Sequence, residues 1–262
     1  MNDSFKIVVT GATGMVGEGV LHECLKHPAV SKVLFVGRKS CGVEHEKLSE
    51  VFLQDFLQPQ QIGEKITGYD ACLFCLGVSS VGLKKEAYSK LTFDLTTGFA
   101  RNFLDANPES QFVYVSGAGT DSTASGRSMW ATVKGKTENT LLSMGFRNAW
   151  MFRPGYIHPA EGMKFTLPMY RYVKWAYPFW RRAFPNYISK LEEIGLAMIH
   201  VVRAGYSKPV LEVVDINKAA ALETEWLRRP QKNSKSESPG EDQENRTGVL
   251  PDRDIKKNLG CG

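Results

Sequence analysis

The chain has 262 residues, a formal net charge of +5 and 42% hydrophobic residues. This composition is ordinary for a globular protein and excludes a collagen-like chain, a fully disordered chain and a small disulfide scaffold. Five cysteines without regular spacing argue against a secreted disulfide framework. The excess of positive charge is too small and too dispersed to indicate nucleic-acid binding.

The first residues lead directly into an apolar run at 6–10, which leaves no room for a secretory signal peptide. The sequence also lacks an apolar run of about 18 residues, the length that a membrane-spanning helix needs. We therefore expect a cytoplasmic protein.

Short apolar runs alternate with segments of helical periodicity along most of the chain. The predicted strands are 6–10, 32–37, 51–53, 71–76, 111–116, 148–153 and 210–214, and the predicted helices are 15–26, 58–66, 84–106, 129–144 and 217–228. Continuous apolar strands separated by helices indicate buried parallel strands with right-handed crossovers. The sequence therefore predicts an α/β fold, a doubly wound, Rossmann-like parallel sheet with a small helical C-terminal cap.

One domain is expected over residues 1–228, followed by a tail at 229–262 that has no aromatic residue and few hydrophobic ones. Such a segment cannot bury enough apolar surface to offset its ordering entropy, so we predict that the tail is disordered. The domain should include a small cap at about 158–207. Within this cap, Ser189 and Glu192 have the spacing of a capping box, which predicts that a helix begins there.

Aromatic and basic side chains are concentrated at 165–187. Three interpretations of this segment stay open. It could be a lid over an apolar pocket, a surface for a protein partner or second copy, or a helix attracted to a membrane surface. Base stacking on nucleic acid is not expected, because no nucleic-acid module accompanies the segment.

Three evenly spaced glycines, Gly11, Gly14 and Gly17, follow the first strand and open the first helix. In this context a glycine-rich loop is typical of dinucleotide binding. The first glycine permits a tight turn, the second lets a pyrophosphate approach the backbone, and the third lets the helix pack on the sheet. Unpaired N–H groups at the helix start would then bind the phosphates. We expect the loop residues Thr13, Met15 and Val16 to contact the cofactor as well.

The spacing in this loop, TGATGMVG, resembles that of extended and atypical short-chain dehydrogenase/reductases. Three further motifs agree in order: Cys75-Leu76-Gly77 at the end of the fourth strand, V-K-G-x-x-E at 133–138, and F-R-P-G at 152–155. Together they resemble the branch that is Tat-interacting-protein-like, or NAD-dependent epimerase/dehydratase-like. The resemblance implies further cofactor contacts at Asp55, Phe56, Cys75, Leu76, Gly77, Lys134, Pro154, Gly155 and Ile157.

The residues after the second strand favour NADP over NAD. NAD enzymes usually place a carboxylate there against the ribose 2′-hydroxyl. This chain has Arg38 and Lys39 instead, which suit a 2′-phosphate, and we expect no carboxylate nearby to repel it. Two interpretations of Asp55 stay open: it could contact the adenine, or it could cap the next helix.

The proton donor that the resemblance implies is missing. Family members place a Tyr four residues before the lysine that matches Lys134, and here that residue is Trp130. An indole donates a hydrogen bond but does not ionise in the useful range. Ser116 could polarise a substrate carbonyl, or be a strand-end hydroxyl bonded to the backbone. Tyr156 is the phenol that could replace the lost one, and Lys134 can still hold the cofactor ribose.

No metal site is expected. Cys72 and Cys75 form a C-x-x-C pair, which we expect to point to one face of a buried strand, but the sequence has no second pair to complete a zinc site.

The sequence therefore predicts an NADP(H)-binding, short-chain dehydrogenase/reductase-like protein. One hypothesis is an oxidoreductase or epimerase-like enzyme that acts on a small apolar carbonyl substrate with a non-standard proton donor. The other is a catalytically weak regulatory or binding protein that depends on the cofactor.

Overall fold

The computed structural model describes residues 4–158, 182 and 185–229. Most of the predicted lid at 165–187 and nearly all of the predicted tail at 229–262 lie outside the described residues, so both stay predictions. Among the residues described, no helix combines the length and apolar character needed to cross a membrane.

Seven strands form one parallel sheet in the order β3-β2-β1-β4-β5-β6-β9. These strands are β1 (Phe5–Thr10), β2 (Val30–Gly37), β3 (Leu48–Phe52), β4 (Ala71–Phe74), β5 (Gln111–Val115), β6 (Asn148–Arg153) and β9 (Val210–Glu212). A separate parallel pair contains β7 (Tyr156–His158) and β8 (Ile188–Lys190). The predicted doubly wound α/β fold is confirmed.

Helices connect the strands in the predicted alternation. Within the described residues they are α1 (Met15–Lys26), α2 (Lys85–Ser89), α3 (Leu95–Ala106), α4 (Met129–Leu142), α5 (Leu191–Ala204) and α6 (Val213–Arg228), with a 3₁₀ helix at Pro59–Ile66. The chain winds outward from β1 in both directions, so a crevice opens at the carboxyl ends of β1 and β4. Crevices at such points are where open α/β sheets bind ligands.

Each face of the sheet carries its own apolar core. Alternation along β1 directs Ile7 and Val9 to the core beneath α1, α5 and α6, and Val8 to the core beneath α3 and the 3₁₀ helix. The prediction that Cys72 and Cys75 share a face is wrong, because they pack into different cores. An odd separation along extended chain reverses the side-chain direction.

Some element boundaries differ from the predicted ones. The helix predicted at 84–106 is interrupted by a π-helical turn, Lys90–Asp94. The capping box predicted at Ser189 and Glu192 is also wrong. The backbone N–H of Lys190 donates to Glu193 at 2.7 Å, while the Ser189 hydroxyl donates to Asn217 on α6. A contact distant in sequence thus draws Ser189 away from the helix start.

Candidate functional site

The glycine loop after β1 leaves room for a ligand at one position. Gly11 has a φ of +73°, and a Cβ there would lie 2.7 Å from the Cys75 backbone. A Cβ on Gly17 would lie 2.2 Å from the Gly11 carbonyl oxygen. At Gly14, by contrast, a Cβ would meet only that same oxygen, at an ordinary 3.5 Å. The packing of the protein therefore requires glycine at 11 and 17, while the open space at Gly14 fits a ligand that approaches the backbone.

The start of α1 faces this open space. The Gly14 N–H donates to the Gly11 oxygen at 2.9 Å, which closes the turn, and the Glu18 N–H donates to Gly14. No side chain in the described part of the chain caps the helix at Gly14. The backbone N–H groups of the first turn and the positive end of the helix dipole are therefore directed at the place where a phosphate would bind.

The segment after β4 forms the opposite wall of the crevice. The Cys75 backbone lies against Gly11, and the Leu76 N–H donates to the Thr10 hydroxyl at 3.4 Å. Gly77 is exposed at the surface. Burial raises the pKa of the Cys75 thiol to about 12, so this cysteine stays protonated at neutral pH and does not act as a nucleophile.

The loop after β2 carries two exposed cations, Arg38 and Lys39, as predicted. Contrary to expectation, a carboxylate does lie beside this loop. Glu50 on β3 accepts hydrogen bonds from the Ser40 hydroxyl at 3.1 Å and from the Cys41 N–H at 2.9 Å. Burial opposes the ionisation of Glu50, but these bonds hold its pKa below the ordinary value. The sequence did not reveal Glu50 because it reaches the loop only through the β2–β3 pairing.

Asp55 and Phe56 make contacts within the protein, and the predicted adenine contact stays a prediction. The Asp55 carboxylate accepts hydrogen bonds from the Leu57 N–H at 2.9 Å and from the Gln58 side chain at 3.2 Å, which organises the turn before the 3₁₀ helix. The Phe56 ring is buried and stacks on Phe99 with centroids 5.8 Å apart. The alternative interpretation, in which Asp55 caps the next helix, is not met in this form, because that helix begins after Gln58 and no side chain caps it in the described residues.

Trp130 and Lys134 lie one turn apart on α4. The Lys134 ammonium donates to the backbone carbonyl of Ser116, directly after β5. Burial lowers the pKa of Lys134 to about 8, although nearby Glu138 acts in the opposite direction. The Trp130 ring packs beside Gly119, where a Cβ would lie 3.5 Å from the indole. Lys134 is therefore held at the carboxyl edge of the sheet with a proton that it can exchange near neutral pH.

The Ser116 side chain is turned into the protein. It is 2% exposed, donates to Glu138 and lies 3.1 Å from the Phe152 carbonyl oxygen. These contacts favour the structural interpretation of Ser116 over the polarisation of a substrate carbonyl, for which the hydroxyl would have to leave Glu138.

A buried ion pair that the sequence did not predict lies behind the site. Arg153 at the end of β6 donates through Nε to Glu138 at 3.0 Å and through Nη2 to the other carboxylate oxygen. It also donates to Glu212 at 3.1 Å and to Ser122 at 2.6 Å. Both residues belong to motifs of the sequence, because Glu138 ends V-K-G-x-x-E and Arg153 begins R-P-G. The sequence alone does not show that the two motifs meet.

The segment after β6 closes the site. The Pro154 carbonyl accepts a hydrogen bond from the Ala118 N–H at 2.9 Å, and a Cβ on Gly155 would lie 2.5 Å from the Tyr187 carbonyl oxygen. Tyr156 is half-buried on β7, and the Ile157 side chain belongs to the core. The structure thus brings the glycine loop, Cys75–Leu76, Ser116, Lys134 and Pro154–Gly155 to one edge of the sheet.

Comparison with known proteins finds sequence similarity over part of the chain. The NAD dependent epimerase/dehydratase family matches residues 7–133. Protein HTATIP2 of Rattus norvegicus is 26% identical over 153 residues, which cover 58% of this chain and 62% of that protein. The chain thus spans less than two thirds of the length of this relative.

Solved structures share the fold at low sequence identity. A dTDP-glucose 4,6-dehydratase, DesIV of Streptomyces venezuelae, solved with NAD and TYD bound, has a TM-score of 0.60 and 13% identity over 85% of this chain and 81% of its own. A short chain dehydrogenase of Burkholderia cenocepacia, in complex with NADP, has a TM-score of 0.58 and 14% identity over 87% and 97%. At these identities the two structures show a shared fold, the Rossmann-like α/β sheet described above. The chain is thus similar in fold to these two proteins, and its residues 7–133 are similar to the NAD dependent epimerase/dehydratase family.

Proposed function

We propose that this protein binds NADP(H) and acts as an oxidoreductase or epimerase-like enzyme on a small apolar carbonyl substrate. The observation that carries the proposal is the difference between the three loop glycines. Two of them are required by the packing of the protein, and the space at the third, Gly14, suits a pyrophosphate at the start of α1. The cofactor contacts predicted from sequence at this edge belong to the same proposal.

The exposed cations after β2 support the choice of NADP. The Arg38 carbonyl accepts a hydrogen bond from the Gln54 side chain at 3.1 Å, and the Glu50 contacts hold the following residues. A loop fixed in this way loses little entropy when its cations meet a 2′-phosphate. The Glu50 charge works against that dianion, so we expect a preference for NADPH that is moderate in size.

Fluorescence titration of the purified protein with NADPH and NADH tests this choice. Replacing both cations (Arg38→Gln with Lys39→Gln) should weaken the affinity for NADPH by at least about tenfold, the effect of one lost charge-assisted hydrogen bond. The affinity for NADH should stay unchanged. Lys32→Gln is the matched control, because Lys32 is an exposed cation near the other end of β2. Tighter binding of NADH than of NADPH by the wild type would refute the assignment.

In the proposed reaction a bound nicotinamide would exchange a hydride with the carbonyl carbon. The chain must then give the carbonyl oxygen a proton. Trp130 cannot supply it, so the candidates are the Lys134 ammonium and the Tyr156 phenol. Lys134 has the advantage of a pKa of about 8, close to a working pH. Its ammonium would also hold the ribose hydroxyls, which keeps the cofactor beside the substrate.

A second function is favoured by Trp130 itself. A cofactor-dependent binding or regulatory protein would need the dinucleotide site and would not need an acid at this position. The discriminating measurement is NADPH consumption by the wild-type protein on a panel of aldehydes, ketones and quinones. No consumption on the whole panel, with NADPH bound, would favour the binding protein.

The segment at 165–187 and the cellular location also stay proposals. We propose that the segment covers the substrate, with a protein or membrane contact as the alternatives, and that the protein is cytoplasmic. Co-sedimentation with anionic vesicles tests the membrane alternative, and imaging of a fluorescent fusion tests the location.

A further inference from the structure

One buried carboxylate joins the ends of two strands behind the candidate site. Glu138 is 1% exposed and lies one helical turn after Lys134 on α4. It accepts hydrogen bonds from Ser116, at the end of β5, and from two nitrogens of Arg153, at the end of β6. Glu138 therefore determines where both strand ends lie relative to α4.

The same strand ends carry the backbone that faces the proposed nicotinamide half of the cofactor. The Ser116 carbonyl is the acceptor of the Lys134 ammonium, and Arg153 directly precedes Pro154 and Gly155. The helix packs closely on the loop at Asp121, because a Cβ on Gly135 would lie 1.7 Å from the Asp121 carbonyl oxygen. A displaced Ser116 would therefore displace the acceptor that holds Lys134.

Stability alone is a poor explanation for this arrangement. A buried ion pair rarely stabilises a fold more than an apolar pair of the same size. Arg153 also has other partners, since it bonds to Glu212 and Ser122. What Glu138 adds is its contact with Ser116 and the effect of its charge on Lys134, which opposes the effect of burial.

We propose that Glu138 is a positioning residue for the nicotinamide half of a bound dinucleotide, because it holds Ser116 and Arg153 and through them the Lys134 ammonium and the Pro154–Gly155 backbone. The inference rests on the proposed function, since it assumes that a dinucleotide binds at this edge. Its effect should be confined to one half of the cofactor.

Binding of two probes to the whole protein tests the proposal. Glu138→Gln should weaken the affinity for NADPH by about tenfold, the effect of one lost charge-assisted hydrogen bond. The affinity for 2′,5′-ADP, which represents the adenosine half of the cofactor, should stay within about twofold of the wild-type value. Glu212→Gln is the matched control, because it removes a carboxylate from the same arginine without touching Ser116. It should leave both affinities unchanged. The proposal would be overturned if Glu138→Gln lost affinity for both probes equally, or if it kept the wild-type affinity for NADPH.

The pH dependence of binding adds a readout that a purely structural role would not change. Glu138 interacts with Lys134 on α4, Arg153 on β6 and Tyr114 on β5, and burial raises the pKa of Tyr114 beyond the working range. Wild-type affinity for NADPH should fall as the pH rises through about 8, where Lys134 loses its charge. In Glu138→Gln the fall should begin at a lower pH, and an unchanged midpoint would count against the proposal.

Failure of the variant to fold and failure of the proposed function can each be distinguished from failure of the inference. If Glu138→Gln does not fold, Ser116→Ala can replace it, because this variant removes only the hydroxyl contact and keeps the ion pair. It should weaken the affinity for NADPH by a smaller factor and leave the affinity for 2′,5′-ADP unchanged. An unchanged affinity for NADPH would overturn the inference. A wild-type protein that binds neither NADPH nor NADH would refute the proposed function and this inference together. Normal NADPH binding in every variant would refute the inference alone.

Discussion

Gly14 and Gly17 show how position decides the role of the same residue. Both lie in the loop before the first turn of α1 or within it, yet a methyl group would meet an atom at 3.5 Å at Gly14 and at 2.2 Å at Gly17. The second distance is far below van der Waals contact. Substitution by alanine should therefore separate binding from stability at these two sites.

We expect Gly14→Ala to weaken NADPH binding by more than about tenfold, because its methyl group enters the ligand space. Its free energy of unfolding should fall by no more than about 1 kcal/mol, the usual loss when alanine occupies an N-cap. Gly17→Ala should cost about 1–3 kcal/mol through overpacking. Urea denaturation and fluorescence titration measure the two effects. Intact NADPH binding by a folded Gly14→Ala protein would contradict the proposed phosphate site.

At the scale of the element, α4 presents its candidate functional residues on one face. Trp130, Lys134 and Glu138 are spaced by four residues, so they line up along the helix toward the carboxyl ends of β5 and β6. The helix thus combines a residue that cannot ionise, a lysine with a lowered pKa and a buried carboxylate. Changing the first of these tests whether the face is catalytic.

Trp130→Tyr introduces the phenol that the resemblance to short-chain dehydrogenase/reductases implies one turn before the lysine. A positioned general acid contributes about 10²–10⁴-fold to a rate, so the variant should consume NADPH faster than the wild type on the same carbonyl panel. Trp130→Phe, which removes the indole N–H without adding a hydroxyl, is the control and should show no gain. Turnover by Trp130→Tyr beside a completely inactive parent would favour the binding-protein hypothesis.

At the scale of the whole domain, one buried carboxylate connects the three helices that cover one face of the sheet. Glu223 on α6 is fully buried and meets His27 after α1 at 3.1 Å, His200 on α5 at 2.8 Å and Arg203 on α5 at 2.7 Å. Trp226 stacks on His27 and packs under Arg203. This cluster lies at the C-terminal end of α1, about 18 Å from the phosphate loop at the other end.

Glu223→Gln should therefore lower stability and leave the cofactor site intact. Removing one partner of a buried ion pair costs about 3–5 kcal/mol, because the remaining charge loses its partner. Urea denaturation should show this loss, while the affinity for NADPH stays unchanged. Glu225→Gln is the control, since Glu225 pairs with Arg229 at the exposed surface of the same helix.

The same residue predicts an acid limit to stability. Burial alone would raise the pKa of Glu223, but hydrogen bonds from His200, His27 and Arg203 outweigh it and hold the pKa well below the ordinary value of 4.5. A carboxylate with a lowered folded-state pKa stabilises the fold above its unfolded-state pKa and loses that effect as the pH falls. The wild-type stability should decline below about pH 4.5, and the decline should be shallower in Glu223→Gln. Parallel pH curves for the two proteins would exclude this role.

The sequence by itself determined the fold class, the order of strands and helices and the place of the glycine loop. These features follow from local periodicity and from the backbone conformation required at single positions. Both can be recognised from residues that are close together in the sequence. Only the tertiary structure decided the rest. It brought Glu138 to Ser116 and Arg153, Glu50 to Ser40, and Ser189 to Asn217, and it placed Phe56 in the core. A polar or charged side chain takes the partner that the packed sheet brings within hydrogen-bond distance, and in these pairs that partner lies 10 to 28 residues away along the chain.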